Sequence, residues 1–193
     1  MAESSIDILQ IKREIITNRA PEVLEIIRKG HPTLARKADV VDPTSEIAKN
    51  AISDMIATLE DKGSFAGLAA PQVDIPLQIF LFCVPPGRGG EQIIPLTPVI
   101  NPRILEASDE MMLDWEACFS LPGLAGEVAR HKQIKYTYQN LKGEWITVSA
   151  SGFHAKVIQH ELDHLNGITY VERMTDMSRF GYLEEVREFM IKR

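Results

Sequence analysis

The segment 151–166 constrains this chain most, because it is helix-length, amphipathic and carries His160-Glu161-Leu162-Asp163-His164, an H-E-x-x-H pattern. At ~100° per residue, His160 and His164 stand ~40° apart and one turn apart on the same face. Two imidazoles so placed can grip one metal ion, and Glu161 beside them can reach a water on it. Phe153 and Val157 share that face and give the metal an apolar flank. Ile158, Leu162 and Leu165 repeat on another side as a core stripe, and Gly167 follows as a stop. A helix buried on two sides is a rigid mount for a site. The pattern predicts a metallohydrolase: the metal lowers the pKa of its water, Glu161 takes the proton, and the hydroxide attacks a carbonyl. Such a site needs a third protein ligand and an open fourth position.

Around that helix the chain reads as α+β, since helical and extended segments do not alternate regularly. Residues 45–62 predict a second strong helix, capped by Ser45, with Ile47, Ala51, Met55 and Leu59 along one face and Gly63 as its end. Ile8, Ile11, Ile15 and Ile16 predict a short N-terminal helix over 7–17, and Pro21 fits the start of another reaching about Lys29. Residues 77–84 are a continuous apolar strand. Short extended segments are expected near 94–101 and 111–116. Period-two alternation over 133–138 and 144–148, around an Asn140-Leu-Lys-Gly143 turn, predicts a hairpin. A short strand over 168–171 and a last helix over about 178–192 complete the pattern.

The formal charge of −6, from 21 basic and 27 acidic residues, argues against a general nucleic-acid binder, DNA included. The longest apolar run, 79–84, is far short of the ~20 residues that span a bilayer. Two cysteines, Cys83 and Cys118, make no disulfide scaffold. The first residues lack a basic stretch followed by an apolar one, and Glu3, Asp7 and Glu14 argue against a transit peptide. The expectation is a soluble protein of a reducing cytoplasm. His131 and His154 lack ligand spacing with His160 and are read as surface or satisfied core groups. Asp163 points away from the metal face and is read as a supporting contact. Glu116 and Arg130 could pair and hold the loop at Cys118.

Three segments together resemble peptide deformylase. Gly67-Leu-Ala-Ala-Pro-Gln72 resembles the family's motif G-x-G-x-A-A-x-Q, Glu116-Ala-Cys-Phe-Ser120 its E-G-C-x-S, and Gln159-His-Glu-Leu-Asp-His-Leu-Asn-Gly167 its Q-H-E-x-D-H-L-x-G. Order and spacing agree, and the likeness runs from about Glu22 to about Tyr182. It implies antiparallel or mixed β-sheets packed around the central H-E-x-x-H helix, followed by a C-terminal helix. It also implies one deformylase-like domain over 21–193, preceded by an N-terminal extension over 1–20 that is expected to be helical.

By the same resemblance, Cys118, His160 and His164 bind one divalent metal, Fe²⁺ in vivo, with Zn²⁺, Ni²⁺ or Co²⁺ as substitutes. Glu161 is the general base. Gln72 and the backbone N–H of Phe119 stabilise the oxyanion. The backbone near Gly67 lines the peptide cleft. Recognition of a methionine side chain then needs an apolar hole, and Phe153 and Val157 are expected to form part of its wall. The implied reaction removes formate from the N-formylmethionine of nascent chains, with transient ribosome contact and a monomeric or weakly dimeric state. Ala117 and Phe119 stand where the family's second motif commonly has Gly and Leu, and Phe65 where the first motif begins with Gly. Those departures motivate an alternative, a deformylase-like protein of weak or altered activity that binds peptide or ribosome. A third possibility is a metallopeptidase acting on unformylated chains, against which Gln72 and the Cys118 motif argue.

Overall fold

The computed structural model describes residues 11–63, 65–88 and 93–191. Among the described residues eight strands form two sheets, and every pair of neighbouring strands in them is antiparallel. The larger sheet has the order β1 (Gly67–Ala69), β2 (Ile79–Val84), β3 (Ile94–Ala107), β6 (Gln133–Gln139), β7 (Trp145–Ser151). The smaller has β4 (Met111–Ala117), β5 (Leu124–His131) and β8 (Phe180–Tyr182).

The apolar run of β2 explains how the larger sheet is covered. Successive strand side chains point to opposite faces. Ile79 and Leu81 enter a core with Ile52, Met55, Ile56 and Leu59 of helix α1 (Glu46–Lys62). Phe80 and Phe82 enter a second core with Ala155, Val157, Ile158 and Leu165 of helix α2 (Gly152–Leu165). A strand buried on both faces must be apolar throughout, and each fully buried Leu, Ile or Phe contributes roughly 1.5–3 kcal/mol. A third cluster, Cys118, Leu121, Val128 and Tyr170, lies on the smaller sheet. Helix α2 touches β1, β2 and β7 of the larger sheet and β5 of the smaller, so it joins the two.

The ends of α1 follow local chemistry. Ser45 Oγ accepts from the Ala48 N–H at 3.2 Å, and Gly63, at φ 80°, returns its N–H to the Leu59 carbonyl. Its buried stripe is Ala48, Ala51, Ile52, Met55, Ile56 and Leu59, whereas Ile47, expected on that face, is 66% exposed. The hairpin β6–β7 closes through Asn140 and Gly143 as predicted.

Other expectations change. Residues 21–28 are not helical, because their amides bond elsewhere: Leu24 to Thr58 Oγ1, Ile27 to the Gln72 carbonyl, and Lys29, just beyond, to the Ser120 carbonyl. The strand expected over 168–171 is a 3₁₀ turn, Tyr170–Glu172. The last helix begins only at Leu183, because Phe180–Tyr182 pairs with β5. Of the N-terminal helix, residues 11–14 are helical and Ile15 packs with Ile11 against α1, while Ile16 is 79% exposed. Ile8 lies outside the described residues. No described helix is long and apolar enough to cross a membrane.

Candidate metal centre and its cleft

Strand β7 runs directly into α2, and the junction residue Gly152 has φ 55°. A side chain is strained there, so glycine lets the strand turn into the helix without a loop. Two turns later α2 presents His160 and His164 toward the turn that follows β4, where Cys118 sits. The ligand atoms of Cys118, His160 and His164 all lie within 4.8 Å of one another. Cys118 Sγ stands 3.3 Å from His164 Nε2. His160 Nδ1 meets Glu116 Oε2 at 2.8 Å, which leaves its other ring nitrogen for the cluster.

Glu116 is the last inward-facing residue of β4 and is fixed from two sides. Arg130 on β5 donates to both its oxygens, from Nε at 2.8 Å and Nη2 at 2.9 Å. The same guanidinium reaches Asp163 on α2 at 2.5 Å, and Arg173 closes the chain on Asp163 at 2.7 Å. Burial would raise the Glu116 carboxyl, but the hydrogen bonds from Arg130 and His160 outweigh it and hold it at about 2. The expected pairing of Glu116 with Arg130 is therefore present, and it extends to the helix that carries the histidines.

Glu161 lies deeper. Its Oε2 is buried with no hydrogen-bond partner, and burial pushes the carboxyl up to about 7. A Cβ on the neighbouring Gly67 would stand 2.2 Å from Glu161 Oε1, so a side chain there would have to displace the carboxyl. Gln72 is oriented by its own backbone, with Oε1 accepting from the Ala69 N–H at 2.8 Å. Its amide nitrogen therefore faces Cys118 Sγ at 3.2 Å and Ser120 Oγ at 3.3 Å. A cavity of about 680 Å³ opens onto Gly67, Gln72, Cys118, Phe119, Phe153, Val157, His160 and Glu161. His164, fully buried, lies behind it. The structure thus gathers every residue singled out in the sequence for the site.

The donor set fits a divalent cation. A thiolate and two neutral imidazoles leave one tetrahedral position for water or substrate. A carboxylate on the far nitrogen of one imidazole fixes the tautomer that binds metal. The set does not choose among Fe²⁺, Zn²⁺, Ni²⁺ and Co²⁺.

Ala117 closes β4 opposite Ala125 in extended conformation, so no left-handed backbone there demands glycine. His154 packs inside, stacked on Phe82 and bonded through Nε2 to the Tyr136 hydroxyl at 3.0 Å. His131 bonds the Ser108 carbonyl at 2.7 Å. Among the wall residues that escaped the sequence, Lys156 is 8% exposed, pairs with Asp114, and lies 5.0 Å over the Phe153 ring. The wall read as apolar therefore contains a paired cation. A lysine within the most apolar turn of α2 was the available signal.

Comparison with known proteins gives this geometry a lineage. Residues 23–180 match the family model for polypeptide deformylase. The chain is 38% identical over 165 residues to peptide deformylase 1 of Nitrosomonas europaea, covering 82% of this chain and 92% of that one. The Met-Ala-Ser-bound crystal structure of class I type b peptide deformylase from Acinetobacter baumannii superposes with a TM-score of 0.72 at 35% identity, covering 79% of this chain and 98% of that one. The peptide deformylase structure from Thermotoga maritima gives 0.70 at 36% identity, covering 80% and 99%. With the Cys-His-His cluster built on segments that lie inside the matched region, this chain belongs to the polypeptide deformylase family.

Proposed function

We propose that this chain is a metal-dependent hydrolase that removes the formyl group from the N-formylmethionine of nascent polypeptides. The observation that carries it is the convergence of Cys118, His160 and His164 at the inner end of a cleft into which Glu161 brings a carboxyl with an unpaired oxygen.

Cys118, His160 and His164 hold one divalent cation, Fe²⁺ in vivo. When bound, it supplies Lewis acidity to a water and to the formyl oxygen. Glu161 takes a proton from the attacking water, and its carboxyl, near neutrality by burial, releases that proton to the departing methionine nitrogen. The formyl C–N bond breaks, giving formate and a free amine. The Gln72 amide, aimed at the cluster, and the Phe119 N–H donate to the oxygen that becomes negative. Phe153 and Val157 flank the methionine side chain, and the backbone at Gly67 lies along the substrate beside Glu161.

The central H-E-x-x-H helix, with sheets on either side and a short helical C-terminus, is the frame of this reading. The proposed setting is a cytoplasmic monomer or weak dimer over 21–193, with residues 1–20 as an extension and transient ribosome contact. The alternative of a catalytically weak binding module drew on Ala117, Phe119 and Phe65; the extended backbone at Ala117 removes the strain raised for that position, while all three residues line the cavity.

The test is formate release from formyl-Met-Ala-Ser by anaerobically prepared, iron-loaded protein. Turnover of the formylated peptide, with none of its unformylated counterpart, is the expected result. No formate at full metal occupancy overturns the proposal.

A further inference from the structure

The cleft is longer than its chemistry needs, and its outer wall comes from the end of the chain. Leu183, Arg187 and Ile191, at i, i+4 and i+8, line the same cavity as the metal ligands. That wall is anchored: Val186 is fully buried, the Leu183 N–H bonds the Gly123 carbonyl at 2.8 Å, and β8 just before it is paired with β5. Pockets of ~300–1,000 Å³ hold drug-sized ligands, so about 680 Å³ accommodates several residues of a peptide beyond formylmethionine.

The charges along the cleft are segregated. Among the described residues, its lining carboxylates, Glu116 and Glu161, are both at the inner end and buried. Glu116 is matched by Arg130 and His160. The lining cations are Lys156, already paired with Asp114, and Arg88 and Arg187 toward the solvent. Glu184, Glu185 and Glu188 share the C-terminal segment but do not line the cavity. A chain with a net charge of −6 thus presents a basic outer cleft.

We propose that Arg187 is a specificity-determining residue that favours formylated peptides with an acidic side chain at the second or third position. The inference rests on the deformylase reading above. Arg187 serves no reacting atom; its guanidinium offers a carboxylate two parallel hydrogen bonds from the part of the cavity lining supplied by the C-terminal segment.

The test uses the metal-loaded enzyme and C-terminally amidated formyl-Met-Ala-Ser analogues with Asp, Asn or Lys at the second or third residue. Amidation removes the terminal carboxylate, so only side-chain charge varies. Asp should exceed Asn by about fivefold in kcat/KM, the scale of one partly exposed ion pair, and the difference should appear in KM. The preference should shrink at high salt, where screening reaches ~3 Å at 1 M. Arg187→Glu should reverse the Asp-to-Lys order, and Arg187→Lys should keep it at reduced size. Titration calorimetry with the deformylated peptides should give the same ranking. Formate release with equal rates for Asp and Asn, or an Asp preference that persists in Arg187→Glu, overturns the inference alone. No formate from any peptide overturns the deformylase reading and this inference with it.

Discussion

A single carboxyl shows how burial sets up the chemistry. Glu161 sits among groups that do not bond its Oε2, and desolvation raises its pKa to about 7. A carboxyl poised there can both accept and return a proton near neutral pH. Glu161→Ala should keep bound metal, measured by elemental analysis, and lose nearly all formate release, because the three ligand side chains remain. Full activity in that variant would remove the base from the scheme. Gly67 makes the complementary case. Its missing side chain is the space that the Glu161 carboxylate fills. Gly67→Ala should cost about 1–3 kcal/mol in denaturant unfolding, the usual range for overpacking, or displace Glu161 and lower kcat while metal content stays normal. Unchanged stability and unchanged kcat would show that the carboxyl does not need that space.

At the scale of elements, the site depends on a polar relay that ties β4, β5 and α2. Glu116, Arg130, Asp163 and Arg173 alternate in charge, and the first three are nearly inaccessible to water. Glu116 is held down at about 2 in the folded protein, below its ordinary 4.5. A depressed carboxyl pKa contributes stability that is present above about 4.5 and lost as pH falls through about 2. Glu116→Gln should flatten that acid limb in unfolding titrations. It should also weaken metal binding roughly 10–100-fold, because the carboxylate that orients His160 is gone. Equal metal affinity in the variant would mean that His160 is oriented by something else. The Glu116–Arg130 pair was legible beforehand, but its extension was not. Only folding brings Asp163 of α2 against the same guanidinium and Arg173 against Asp163. The same limit hid β5, whose Gly126 and buried Arg130 break a clean apolar alternation. It also set the late start of the C-terminal helix, since pairing of Phe180–Tyr182 with β5 overrides local propensity. What local chemistry dictates was readable: Ser45 and Gly63 bound α1, Gly167 follows α2, and Asn140 and Gly143 turn the hairpin. The metal ligands were readable for another reason, since two lie one turn apart on one helix and the third falls in a short motif of its own.

For the whole molecule, the cation site is a junction between the two sheets. Cys118 belongs to the turn that ends β4 in the smaller sheet, while His160 and His164 ride on α2, whose other side packs into the core of the larger one. A cation bound by all three cross-links layers that otherwise meet through side-chain packing and the Glu116–Asp163 relay. Binding to the folded state alone adds stability by mass action, about 2.7 kcal/mol when free metal is 100 times its Kd. For a chain of 150–250 residues, 1 kcal/mol moves Tm by roughly 2–4 °C. Adding saturating Fe²⁺ or Zn²⁺ to chelator-stripped protein should therefore raise Tm by roughly 5–10 °C in anaerobic calorimetry. Cys118→Ala should fold and show little of that rise, because the strand side of the junction has lost its ligand. Glu161→Ala should show nearly all of it. The two variants thus separate holding the metal from using it. An equal rise in Cys118→Ala would place the stabilising cation elsewhere in the molecule and leave the sheets joined by packing and the polar relay.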